Sequence, residues 1–153
     1  MKPMRTTVVT IVSELVLAAA SFGCSAPATP SPAVPPGPVA NIAGRWSGTF
    51  ESGNFSTRTI TMTIVQGGNC VDGAWASASG WTGAISGFAG ADSFSGQISF
   101  EAITESGERC AGVGDTSGTV GTDTLRWTSA GFTAVGPCTG TLHRTVVISL
   151  RRG

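Results

Sequence analysis

The fold is decided by residues 44–50, which read Gly-Arg-Trp-Ser-Gly-Thr-Phe. Successive side chains of a β-strand point to opposite faces. Trp46, Gly48 and Phe50 therefore share one face, and the polar residues between them share the other. This alternation predicts a first strand over residues 44–52, with one face turned toward a core.

Seven further segments repeat this pattern and are separated by turn residues. They cover residues 57–66, 70–78, 81–88, 93–103, 109–121, 124–128 and 139–151. The clearest is 57–66, where Ile60, Met62 and Ile64 alternate with threonines, whose branched side chains suit a strand surface. The residues between 128 and 139 are predicted to form a loop. The pattern therefore predicts eight short strands.

A short motif links these strands: Ser, Thr or Asp, then Gly, then any residue, then an apolar residue. It occurs at residues 47–50, 72–75, 82–85, 95–98, 117–120 and 139–142. Glycine inside a strand weakens it, so its repeated use calls for a structural cause. Glycine permits sharp bending and close approach of neighbouring strands. The motif therefore favours the tight curvature of a small barrel.

Composition limits both architecture and partners. The chain has 153 residues, of which 22 are Gly and only 12% are charged, and this favours one domain of short strands over long helices. The net charge is zero and no basic cluster is visible, so neither nucleic acid nor an anionic membrane surface is an expected partner. We predict an all-β fold, an eight-stranded antiparallel up-and-down barrel, because closure removes exposed sheet edges. A two-sheet sandwich is the alternative.

The N-terminal region has the pattern of an export signal over residues 1–23. Lys2 and Arg5 precede an apolar run that is too short to span a bilayer as a helix. Residues 20–24, Ala-Ser-Phe-Gly-Cys, resemble a bacterial lipobox, which implies lipidation of Cys24 and anchoring of the exported protein to a membrane. Ordinary signal-peptidase cleavage, giving a periplasmic or secreted soluble protein, is the alternative.

The predicted mature chain has two parts. Residues 24–40 are rich in Pro, Ala and Ser and are predicted to be an extended tether without a core of its own. Residues 41–153 are predicted to form the barrel domain. A tether between a lipidated Cys24 and a folded domain would hold the domain clear of the membrane.

The first strand also carries a resemblance to known families. Gly44-Arg45-Trp46 resembles the Gly-x-Trp motif of lipocalins, and the strand count and Gly-rich hairpins are similar to avidin-like barrels and to small bacterial envelope lipoproteins. The resemblance implies that Trp46 lies at the closed end of a barrel. It also implies that a basic residue after the last strand, here Arg151 or Arg152, stacks over it.

The other three tryptophans are the candidate ligand contacts. Trp75, Trp81 and Trp127 either fill the core or form the walls of a cavity for a small apolar molecule. The function that we infer is non-catalytic binding of such a molecule or of an envelope protein. The alternative is a solid structural or interaction module of the cell envelope without a ligand cavity.

The cysteines and the lone histidine exclude most metal chemistry. Export permits disulfides, and lipidation of Cys24 would leave Cys70, Cys110 and Cys138. We expect Cys110 to pair with Cys138 and Cys70 to be left over. His143 is the only histidine and no Cys-x-x-Cys is present, so neither a metal site nor a cofactor is expected.

Acidic residues gather near two predicted loops, Glu101, Glu105 and Glu108 near one and Asp115 and Asp123 near the other. Paired carboxylates can hydrolyse glycosides. The simpler interpretation is that these charges keep an almost uncharged protein soluble. A hydrolase is therefore the least favoured hypothesis, and no catalytic residue is predicted.

Overall fold

The computed structural model describes residues 37–52, 55–138 and 145–153. The predicted signal, Cys24, most of the tether and His143 lie outside the described residues. The described part contains nine strands and one short 3-10 turn. The strands are β1 (Gly44–Ser52), β2 (Phe55–Gly67), β3 (Cys70–Ser77), β4 (Thr82–Ala89), β5 (Ser93–Ile103), β6 (Arg109–Val120), β7 (Thr124–Ser129), β8 (Thr133–Val135) and β9 (Val146–Arg152), and the turn is Gly136–Cys138.

The strands close into an eight-stranded, entirely antiparallel barrel, which confirms the predicted fold class. Each of β1 to β6 pairs with the next strand along the chain, β7 pairs with β6 and β9, and β9 returns to β1. The long pairing of β5 with β6 lies within this ring. A sandwich is excluded because the ring has no break between two sheets.

The predicted alternation sets which residues form the core. Ile60, Met62 and Ile64 of β2 are at most 2% exposed, while the threonines between them face solvent. The last strand repeats the pattern with Val146, Ile148 and Leu150. One face of every ring strand is therefore buried inside the barrel, and the other face is exposed to solvent.

The structure differs from the prediction between residues 129 and 139, where a loop was expected. Residues 133–135 form β8, which pairs with β6 but lies outside the ring. The chain leaves the ring after Ser129, and Phe132 turns inward to pack edge-on against Phe100 at 5.3 Å between ring centroids. A three-residue strand is too short to display alternation, so its sequence carried no strand signal.

The glycines of the repeated motif lie where neighbouring strands and side chains approach too closely for a larger residue. A Cβ atom on Gly83 would lie 2.0 Å from the backbone oxygen of Ser99 and 2.5 Å from Nε1 of Trp75. A Cβ atom on Gly112, outside the motif, would lie 2.4 Å from a ring carbon of Phe100. Glycine at such positions lets neighbouring strands and large rings approach closely inside a narrow barrel.

The barrel has two different ends. At the Trp46 end, residues 40–43 run across the opening: the amide of Ala40 donates to the Gly90 carbonyl (2.8 Å), and the amide of Ile42 donates to Oε1 of Gln66 (2.8 Å). Ile42 is completely buried there. The opposite end, which we call the Trp81 end, contains the β3–β4 and β5–β6 connections.

Candidate functional site

Trp46 is held at its end of the barrel by the first and last parts of the domain. Its Nε1 donates to the Ile42 carbonyl at 2.9 Å, and the ring is 1% exposed. The guanidinium carbon of Arg152 lies 4.5 Å from the ring centroid. Trp46 is thus enclosed on both sides and does not face a ligand.

Arg152 also binds the segment that crosses this end. Its Nη1 donates to the Ala43 carbonyl and its Nη2 to the Asn41 carbonyl, both at 2.8 Å. Its Nε lies 3.7 Å from the carboxylate of Asp123. Of the two arginines that the resemblance implied, Arg152 therefore lies over Trp46, whereas Arg151 is exposed on the outer surface.

Trp75 packs deep in the barrel. It is 3% exposed, stacks on Phe50 at 5.5 Å between ring centroids, and donates from Nε1 to the Ser99 carbonyl at 3.0 Å. Each face and edge that the ring offers is thus used by the protein itself. A side chain held in this way fills the core.

Trp127 is fully buried as well, and it stacks on Phe94 at 4.6 Å between ring centroids. Its Nε1 has no hydrogen-bond partner among the described residues. A buried donor without a partner costs free energy, so this atom marks a place where a polar group would be stabilised. Trp75 and Trp127 are not brought together with Trp81 around one described cavity.

Trp81 is the predicted tryptophan that solvent reaches. It precedes β4 at the Trp81 end, is half-buried, and stacks on Phe100 at 5.4 Å between ring centroids. Its backbone amide donates to Oγ of Ser77 at 3.0 Å. Over the ring, at 4.5 Å from the centroid, lies the guanidinium carbon of Arg58.

Arg58 is a residue that the sequence reasoning did not select. It lies directly opposite Phe50 in the β1–β2 register, so its side chain starts on the inner face of the barrel. One guanidinium nitrogen donates to Oγ of Ser79, and no carboxylate lies within ion-pair distance among the described residues. The signal was present, because Arg58 continues the inward phase of Ile60, Met62 and Ile64.

A buried hydroxyl lies at the same end of the barrel. Ser52, the last residue of β1, is 5% exposed, and its Oγ has no hydrogen-bond partner among the described residues. The Trp81 end therefore combines an aromatic ring, a cation and unsatisfied or solvent-facing hydroxyls. This combination suits a ligand with an apolar body and a polar or anionic group.

Two clefts lie at the Trp46 end. The larger, about 570 Å³, is lined by residues 37–39, 68–69 and 89–91. The smaller, about 250 Å³, is lined by Trp46 and Met62 together with outward-facing residues of β1 and β2. None of Trp75, Trp81 and Trp127 lines either cleft.

The three cysteines of the barrel domain, Cys70, Cys110 and Cys138, lie on three different elements. Cys70 is a free, half-buried thiol at the start of β3. Cys110 is completely buried in β6, and the side chain of Cys138 lies outside the described residues. The predicted pairing of Cys110 with Cys138 stays a prediction.

The carboxylates are spread over exposed positions. Glu101 forms an ion pair with Arg109, and its hydrogen bond and charge raise the pKa of the Arg109 guanidinium. Asp115 accepts a hydrogen bond from Gln97, and Glu108 accepts one from Ser106. Within the described residues, no three His, Cys, Asp or Glu side chains are grouped so as to hold a metal ion.

No protein-family model matches the chain, and comparisons with curated proteins and with solved structures find no match. The described part of the chain contains no helix that is long and apolar enough to cross a membrane. Functional inference therefore depends on the geometry of the barrel itself.

Proposed function

We propose that this chain is an exported, non-catalytic binding protein whose barrel takes a small ligand at the Trp81 end. The ligand has an apolar, preferably aromatic, body and a polar or anionic group. The observation that carries the proposal is the half-exposed Trp81 ring held between Phe100 and Arg58. Trp75 and Trp127, which the sequence grouped with Trp81, are buried deeper in the barrel.

The electrostatics at this end favour an anionic group. Arg58 has no carboxylate partner among the described residues, and Trp81 shields one of its faces from water. A guanidinium in such a position retains donors for a bidentate contact with an oxyanion. The Ser52 hydroxyl offers a second polar contact on the neighbouring strand.

The test uses 8-anilinonaphthalene-1-sulfonate, an aromatic anion whose fluorescence rises on binding to apolar sites. We expect saturable binding to the full chain, weakened roughly tenfold by Arg58→Gln, which removes a charged hydrogen-bond donor. Trp81→Ala should weaken it by a similar factor. Arg109→Gln is the matched control, because Arg109 is exposed and pairs with Glu101 on the outer surface. Equal binding by all four proteins would refute the site.

A second candidate is a solid structural or interaction module of the cell envelope. The stacking of Trp75 on Phe50 and of Trp127 on Phe94 favours it, because these rings fill the interior that a large ligand would need. Native mass spectrometry of protein purified from its own envelope fraction separates the two candidates. A bound small molecule supports the first, and a bare chain together with no saturable dye binding supports the second.

We also propose that Cys24 is lipidated and that residues 24–40 tether the barrel to a membrane. The amide of Ala40 donates to the Gly90 carbonyl, so the predicted tether joins the barrel at this residue. Labelled fatty acid should be incorporated into the wild-type chain and not into Cys24→Ser. Absence of label from the wild type would favour a soluble periplasmic or secreted protein.

We also propose that Cys110 pairs with Cys138 in a disulfide, because an exported protein is in an oxidising environment. The 3-10 turn Gly136–Cys138 packs on β6 so closely that a Cβ atom on Gly136 would lie 2.6 Å from the Arg109 carbonyl oxygen. Cys70 is free and begins a different strand. Mass spectrometry of an unreduced digest should contain the linked 110–138 peptide, whereas a linked 70–110 peptide would contradict the pairing.

A further inference from the structure

Three arginines that are far apart in the sequence meet on the outer surface of the barrel. Arg126 lies on β7, Arg151 on β9 and Arg45 on β1, three strands that are neighbours in the ring. All three side chains are exposed. None takes part in an ion pair among the described residues, where the ion pairs are those of Arg109 and Arg152.

The strand register places these arginines on one diagonal line. Arg126 is opposite Ser149, two residues from Arg151, and Arg151 is opposite Ser47, two residues from Arg45. Diagonal neighbours on one face of an antiparallel sheet have Cβ atoms about 7–8 Å apart. The three guanidinium groups therefore form a continuous basic stripe, defined by Arg45, Arg126 and Arg151.

The surroundings of the stripe are polar and almost without carboxylates. Most outward residues between and beside the arginines carry hydroxyls, namely Ser47, Thr49, Thr61, Thr63, Thr124, Thr128 and Ser149, and Val65 and Val147 are apolar neighbours at the margins. The acidic residues nearest to these arginines in the sequence are Glu51 and Asp123. Glu51 accepts a hydrogen bond from Thr49, and the Asp123 carboxylate forms an ion pair with Arg152. The outward carboxylates of the other described strands are Asp72 of β3, Glu101 of β5 and Asp115 of β6, and of these strands β6 borders the stripe through its pairing with β7.

We propose that the basic stripe binds a linear anionic glycan, a hydroxyl-rich polymer that carries carboxylate or sulfate groups. Repeated anionic groups match the row of guanidiniums, which bind planar oxyanions in pairs of hydrogen bonds. The hydroxyl side chains between the arginines match the hydroxyls of the polymer.

The chemistry of this face argues against the other polyanions. No aromatic side chain faces outward on β7, β9, β1 and residues 57–67 of β2, so single-stranded nucleic acid would find no ring there on which to stack its bases. A flat bilayer touches a convex barrel along a narrow line, whereas a flexible polymer can follow the curve. The barrel of a second copy is also convex and would meet the stripe over a small area.

The test measures binding of the full chain to polygalacturonate and to dextran sulfate, with uncharged dextran as the negative probe. Each arginine near an anionic surface contributes about 1 kcal/mol, so each Arg→Gln change should weaken binding roughly fivefold. The triple variant Arg45→Gln, Arg126→Gln, Arg151→Gln should lose binding by about a hundredfold. Arg109→Gln, which removes the same charge at the start of β6 and outside the stripe, should bind like the wild type.

The salt dependence gives a second readout that does not rely on the variants. Affinity should fall steeply with salt, and the slope of log affinity against log salt should decrease as arginines are removed. If the triple variant does not fold, the Arg→Lys versions keep the charge and should retain binding with reduced affinity.

Several outcomes overturn the proposal. Equal binding of the triple variant and the wild type refutes the stripe, and equal binding of uncharged dextran refutes its electrostatic basis. Stripe-dependent binding to phosphatidylglycerol vesicles without binding to either polymer would replace the glycan by a lipid surface. Stripe-dependent self-association in the absence of polymer would replace it by a second copy of the chain.

Discussion

Each end of the barrel has an arginine stacked on a tryptophan, but the two Arg–Trp pairs have different roles. At each end an arginine lies 4.5 Å from the centroid of a tryptophan ring, Arg152 over Trp46 and Arg58 over Trp81. At the Trp46 end the arginine is also bound to two backbone carbonyls and approaches Asp123. At the Trp81 end its described polar partner is the hydroxyl of Ser79.

The difference shows that the role of an arginine stacked on a tryptophan depends on its other hydrogen-bond donors. If they bind the protein, the arginine stabilises the fold, and if they do not, it can bind a ligand. Arg152 donates hydrogen bonds to the segment that crosses its end of the barrel, so the Arg152–Trp46 pair holds that segment in place. Arg58 has one described polar partner, the Ser79 hydroxyl, so the same stacking geometry leaves its other donors for a ligand. Substitutions at the two ends should therefore separate stability from binding.

The largest expected effect comes from removing the buried ring. Trp46→Ala should lower the free energy of unfolding by about 3–5 kcal/mol, because it deletes a fully buried aromatic side chain and leaves a cavity. Trp81→Ala should lower it by about 1–2 kcal/mol, because Trp81 is only half-buried. Urea unfolding followed by circular dichroism measures both. Equal losses would mean that the two ends are equally structural.

A smaller effect is expected from the cations. Arg152→Gln should destabilise the fold by about 2 kcal/mol, because it removes charged hydrogen bonds to the carbonyls of Asn41 and Ala43. Arg58→Gln should cost about 0.5 kcal/mol, the value of an exposed cation–π contact. The thermal midpoints of the two variants provide the comparison. A larger shift for Arg58 than for Arg152 would reverse our assignment of the ends.

The smallest effect tests geometry at constant charge. Arg152→Lys keeps the positive charge but replaces a planar fork by a single ammonium group, which is poorly suited to reach two carbonyls at once. We expect a loss of about 1 kcal/mol, whereas Arg58→Lys should leave stability unchanged within error. Differential scanning calorimetry resolves such shifts. If both lysine variants are as stable as the wild type, the positive charge of Arg152 alone accounts for its contribution to stability at the Trp46 end.

The strand pattern could be predicted because alternation is a local property. The predicted limits of β1 and β5 agree with the structure, since both strands begin and end at turn residues and alternate throughout. β8 escaped prediction because three residues cannot display a period of two. Phe132, the residue before β8, is buried.

The roles of the tryptophans could be predicted only in part, because alternation gives the face of a strand and not the depth along the barrel. Trp75, Trp81 and Trp127 all point inward, yet two of them are buried and one is at the rim. Depth depends on the register between strands, which is set by pairings over long distances in the chain. The basic stripe is hidden for the same reason, since its arginines come together only through the β7–β9–β1 register.

The pairing of β1 with β9 has a consequence for how the chain is made. Because the first strand closes the ring with the last, a ribosome-bound chain that lacks residues 146–152 leaves β1 and β7 with unpaired edges. Such edges are templates for aggregation, and contacts between distant segments form slowly. The nascent chain should therefore stay unfolded until residues 146–152 have been synthesised, and we expect it to depend on holding chaperones during that interval.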